Sequence, residues 1–103
     1  DPWQPAVFDL VAATCKGAVA HEKSMGVCGE SGGDPLIALV LAGLGVTSLS
    51  MAPSKVPFVR YALSLHTHDD CVAIAEAARN APTAKAAMEA ARAKAHPDLL
   101  DIL

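Results

Sequence analysis

Residues 25–51 place the strongest limit on the fold. The run Met25-Gly26-Val27-Cys28-Gly29-Glu30 is too short and too glycine-rich for a helix, and it suits a buried strand ending in a loop. Gly32-Gly33-Asp34-Pro35 then supplies a turn, an Asp N-cap and a Pro at the first helical position. The helix opened there, Leu36 to Leu41, is expected to end at Gly43, read as its C-terminal glycine. Ser48-Leu49-Ser50-Met51 forms a second short strand, stopped by Pro53. Strand, crossover helix and strand follow one another within about 25 residues, which makes a βαβ unit with parallel strands and a right-handed connection.

Such a unit is incomplete. Two parallel strands do not hold as an isolated sheet, and their unpaired edges invite association. Composition agrees: 52% of the 103 residues are hydrophobic, yet only 4% are aromatic and 21 are alanine. A chain this apolar is not disordered, and its excess is expected to be covered by sequence from elsewhere. The start at Asp1-Pro2, without an initiator Met, likewise reads as an excerpt. No repeat or linker divides residues 1–103, which are taken as one piece.

Helices surround the unit. Pro5 opens a helix over 5–22, with Val7, Val11, Cys15 and Ala18 as its apolar stripe and Phe8 and Leu10 beside it. Ser54 is expected to cap a helix over about 55–65, with Val56, Val59 and Leu63 on one side. Thr67 and Asp70 have capping-box spacing before a helix at 68–80. A further alanine-rich helix begins near Thr83, keeps Lys85, Glu89 and Lys94 toward solvent, and is stopped by Pro97. The turn from Asp98 to Leu103 is apolar enough to need a partner.

Several functions are excluded. The net charge is −3, and the eight Lys and Arg residues are scattered without aromatic neighbours, so no nucleic-acid surface is expected. Pro35–Ser54 is a 20-residue stretch without charge, the length of a membrane span. Its second half holds Gly43, Gly45, Thr47, Ser48, Ser50 and Pro53, which fits a turn and a strand; no membrane insertion is expected. Three cysteines without CxxC spacing suit neither a disulfide framework nor a metal site and point to a reducing, cytoplasmic setting. His66 and His68 flank a helix start, where turn and capping roles outweigh metal binding; no metal site is assigned. Arg60 and Arg79 are read as solvated or interhelical.

The segment Gly26–Pro35 carries the chemistry, because active sites of β/α barrels are built where parallel strands end. Two glycines flank Cys28, allowing close approach of a small ligand. The residues alone leave two readings open, a reactive thiol or a small buried apolar side chain.

Taken together, Val27-Cys28-Gly29-Glu30, Gly33-Asp34, Gly43-Leu44-Gly45 and Ser48-Leu49-Ser50-Met51 with Pro53 resemble the phosphoenolpyruvate (PEP)-utilising enzymes. Within them the chain is most similar to the C-terminal end of the enzyme I branch of the sugar phosphotransferase system. Ser31-Gly32-Gly33 is also similar to a loop of the pyruvate phosphate dikinases, the alternative branch. The resemblance covers about three-quarters of the chain, from Pro5 through the helix at 68–80, and the tail after Asn80 adds little to it.

The resemblance implies an α/β fold, with this chain as the C-terminal portion of a TIM-type β/α barrel: its last two β/α units plus trailing helices. It implies that Cys28 is the proton donor to the methylene carbon of enolpyruvate and that Gly29 contributes to substrate binding. Glu30, close in sequence, disfavours the thiolate and suits a thiol that stays protonated. The phosphorylated histidine, the phosphate-clamping arginines and the ligands of Mg2+ are expected upstream of Asp1. The expected partners are PEP and pyruvate, the phosphocarrier protein HPr through an upstream domain, and a second copy in a homodimer. The isolated chain is expected to be inactive, and a non-catalytic dimerisation fragment is the contrasting reading.

Overall fold

A computed structural model describes residues 3–21, 26–28 (Val27 and Cys28 by their backbone alone) and 34–103. Helix α1 spans Pro5–Ala20, strand β1 Gly26–Cys28, α2 Pro35–Leu44 and β2 Ser48–Ser50. A 3-10 turn, Pro53–Lys55, leads into α3 at Val56–Ser64; α4 is His68–Arg79, α5 Ala84–Lys94 and α6 Pro97–Leu100.

β1 and β2 pair in parallel, with Gly26 opposite Ser48, Val27 opposite Leu49 and Cys28 opposite Ser50. The βαβ unit is therefore present, with α2 as its crossover. Met25, Gly29 and Glu30, included in the first strand by sequence, lie outside the described residues.

α2 is the centre of the fold. Leu36, Ile37, Ala38, Leu39, Val40 and Leu41 are all buried, so the helix is covered all round rather than along one stripe. α4 packs along it most extensively, α1 and α3 flank it, and α5 packs on α4. Phe8, Ile74, Ala78, Ala87, Ala91 and Leu99 complete the core from the surrounding helices.

Glycine placement differs from the sequence expectation. α2 continues through Gly43 to Leu44, and Gly45 is the left-handed C-terminal residue, with φ 107°. The Gly45 N–H donates to the Ala42 carbonyl and the Val46 N–H to the Leu41 carbonyl at 3.1 Å, the paired bonds of a Schellman motif. Gly43 instead lets α4 approach. A Cβ there would lie 2.5 Å from the Cys71 carbonyl carbon and 2.9 Å from the Ala75 Cβ, and it would overlap the Cys71 carbonyl oxygen.

Three further expectations shift. Ser54 does not cap α3: it sits within the 3-10 turn, and α3 begins without a side-chain cap. Pro57 explains part of this, because it lacks the N–H that a cap at Ser54 would bind at the third helical position. α3 buries Val59 and Ala62, leaving Leu63 outside. On α1 the buried stripe passes through Phe8 and Cys15, while Val7 and Leu10 are exposed. Phe8 turns inward to meet Trp3 edge to face at 5.9 Å, burying more apolar area than Val7 would.

Candidate functional site

The site reading centres on the C-terminal ends of β1 and β2. Cys28 closes β1, and its register partner Ser50 closes β2. Ser48 and Ser50 are exposed while Leu49 between them is half-buried, the alternation of a strand with one solvated face. Gly29 and the rest of 29–33 lie outside the described residues, as does the Cys28 side chain. Ser50 escaped sequence reasoning as a neighbour of Cys28, because strand spacing does not reveal register across a crossover.

Asp34, six residues beyond Cys28, caps α2. One carboxylate oxygen of Asp34 accepts from the N–H groups of Leu36, at 2.9 Å, and Ile37, at 3.3 Å. Its carbonyl accepts from Ala38 at 2.8 Å, and Pro35 has no N–H to offer. The four leading positions of α2 are thus satisfied internally. A helix N-terminus normally attracts anions through free N–H groups, but this one has none left over, so a phosphate would need donors from elsewhere.

Other titratable groups serve the helices. Arg79 Nε donates to Asp9 Oδ1 at 2.7 Å, tying α4 to α1, in keeping with an interhelical role. Arg60 is exposed on α3. Thr67 and Asp70 form the expected capping box: the Asp70 N–H donates to the Thr67 hydroxyl at 3.1 Å, and the Thr67 N–H to Asp70 Oδ2 at 2.9 Å. Thr67 holds the Asp70 carboxyl below its usual range, its backbone N–H contributing most and its side chain next. Cys15 and Cys71 are buried, and burial pushes both thiols up; beside Cys71 the Asp70 charge adds to the effect. A raised thiol is a poor nucleophile, and both side chains are packed into the interior among the helices.

His66 uses both ring nitrogens in hydrogen bonds, one to the Ala62 carbonyl at 2.6 Å and one from the His96 N–H at 3.0 Å. His68 is exposed in the first turn of α4. Among the described residues no group of three His, Cys, Asp or Glu is arranged to hold a metal ion, and no helix is long and apolar enough to cross a membrane. A cleft of about 240 Å³ is lined by Ala12, Gly43, Leu44, Val72, Glu76 and Arg79. It lies at the C-terminal end of α2, the opposite end of that helix from Asp34.

Comparison with known proteins bears on this arrangement. The profile of the family described as PEP-utilising enzyme, PEP-binding domain, matches residues 1–67. A phosphoenolpyruvate-protein phosphotransferase of Streptomyces coelicolor is 54% identical over 93 residues, covering 90% of this chain and 17% of that protein. A multiphosphoryl transfer protein of Xanthomonas campestris is 40% identical over 94 residues, 89% of this chain and 11% of its own length. A phosphoenolpyruvate-protein phosphotransferase of Haloferax volcanii is 38% identical over 80 residues, 78% of this chain and 14% of its own. The chain thus spans less than a fifth of the length of these curated relatives.

Proposed function

Because the chain belongs to the PEP-binding domain family of the PEP-utilising enzymes, we propose that it is the C-terminal part of a phosphoenolpyruvate–protein phosphotransferase. The whole enzyme would move the phosphoryl group of PEP to one of its own histidines and on to HPr. The observation that carries this reading is the parallel βαβ unit with Cys28 at a strand end, within the segment matched to the family and to the Streptomyces relative.

In this reading the βαβ unit belongs to a β/α barrel completed by the rest of the polypeptide. Loss of the phosphoryl group leaves the enolate of pyruvate. The Cys28 thiol then gives its proton to the methylene carbon: a C–H bond forms, and the S–H electron pair stays on sulfur. Gly29, next in the chain, would let the substrate approach closely. The closed hydrogen bonding of the α2 start supports placing the phosphate-binding groups in another part of the enzyme. The described residues do not fit Mg2+, so its ligands are assigned to the rest of the protein and no step here passes through it. A cytoplasmic location and a homodimer complete the proposal. Phe58, Tyr61, Leu63, Ile102 and Leu103 leave apolar surface for the rest of the enzyme or a second copy to cover.

The test is Cys28→Ala in the full-length enzyme, with pyruvate formation from PEP as the readout. Removing a general acid is expected to lower turnover by about 100-fold or more. Turnover near the wild-type value would refute the assignment.

A further inference from the structure

Two histidines fasten the C-terminal turn, and both do so as acceptors. His66 follows α3, and its Nε2 accepts the backbone N–H of His96 at 3.0 Å. A ring nitrogen that accepts carries no proton. The neutral His66 ring therefore has its proton on Nδ1, where it donates to the Ala62 carbonyl at 2.6 Å. His96 is the N-cap of α6, and its Nδ1 accepts the Asp98 N–H at 3.0 Å. The rings stand edge to face with centroids 6.4 Å apart. What these bonds hold in place is Leu99, fully buried, with Leu100 partly buried against the same core.

We infer that His66 and His96 form a protonation-sensitive clasp, which seats residues 96–103 while both rings are neutral and releases them when either takes up a proton. A proton on His66 Nε2 sets an N–H against the His96 N–H. A proton on His96 Nδ1 turns that ring from acceptor to donor. It can then give a hydrogen bond to the Asp98 carboxylate, 3.9 Å away, and the Asp98 amide loses its partner. No covalent bond other than N–H changes, and the proton comes from solvent.

Charges of both signs lie on the elements around the rings. They are Arg60 on α3, His68, Asp69 and Asp70 at the start of α4, Arg92 and Lys94 at the end of α5, and Asp98 and Asp101 by α6. Histidine is the side chain whose charge changes between about pH 5 and 8, which sets the range over which the clasp is tested.

Hydrogen exchange on the full-length polypeptide carrying this chain tests the inference, at about pH 7.5 and about pH 5.5 with the intrinsic pH dependence removed. Protection of residues 96–103 is expected to fall about tenfold on acidification, as for a lost hydrogen bond, while α4 keeps its own. In His66→Gln/His96→Asn the amide oxygens accept at both pH values, and the fall should vanish. Equal protection of the wild-type tail at both values would overturn the clasp, as would a double variant as pH-sensitive as the wild type. Ring nitrogen shifts give a readout that needs no variant. At neutral pH they should show His66 protonated on Nδ1 and His96 on Nε2, and the reverse assignment for His66 would overturn the inference.

Discussion

Gly43→Ala tests how closely α2 and α4 approach. The new Cβ would sit 2.5 Å from the Cys71 carbonyl carbon and 2.9 Å from the Ala75 Cβ, where carbon atoms prefer roughly 3.5–4.0 Å. Relief requires the helices to part by about 1 Å, since the obstacle at Cys71 is backbone and no rotamer change removes it. Overpacking of this kind costs about 3 kcal/mol, the upper end of its usual range. Alanine's better helix propensity returns about 1 kcal/mol, leaving a net loss of about 2 kcal/mol. Urea unfolding of the chain, followed through the buried Trp3, should show the midpoint lowered by roughly 1–2 M. Gly17→Ala is the matched control. Gly17 is also in a helix, but nothing lies within 4 Å of a Cβ placed there, so stability should rise by the propensity gain of about 0.5–1 kcal/mol, and the midpoint with it. A Gly43→Ala midpoint equal to or above wild type, with Gly17→Ala behaving as stated, would refute the close approach.

Two other perturbations follow from the caps. Asp34→Ala frees the Leu36 and Ile37 N–H groups and should cost about 1 kcal/mol in urea unfolding, with loss of exchange protection confined to the first turn of α2. For Asp70, the folded carboxyl titrates below its ordinary 3.8. The ionised form is favoured in the fold, so its stabilising effect is complete above that value and disappears as the pH falls through the folded one. Asp70→Asn should flatten the acid limb of the stability profile below about pH 4, and an unchanged limb would count against the box.

The features legible in the sequence are those settled by neighbours in the chain. Asp34 meets its two N–H partners two and three residues on, and Thr67 meets Asp70 three residues on. Spacing at that range is dictated by helix geometry, so composition and order are enough to read it. The Gly43 expectation failed for a related reason. Both Gly43 and Gly45 can end a helix, and the choice depends on where α4 lies, which no local pattern records. The absence of a cap at Ser54, by contrast, had a local signal in Pro57, whose missing N–H was available to sequence reading.

The candidate site divides along the same line. The sequence alone determined the strand–helix–strand order, the placing of Cys28 in the first strand and the capped entry to α2. Only the tertiary structure decided the register that sets Ser50 beside Cys28 and which of Val7 and Phe8 faces the core. It alone brought Arg79 to Asp9 across 70 residues and His66 to His96 across 30. Local spacing constrains dihedral angles and the first shell of hydrogen bonds. Pairings between distant segments depend on how buried surfaces fit together, and that fit is a property of the packed whole.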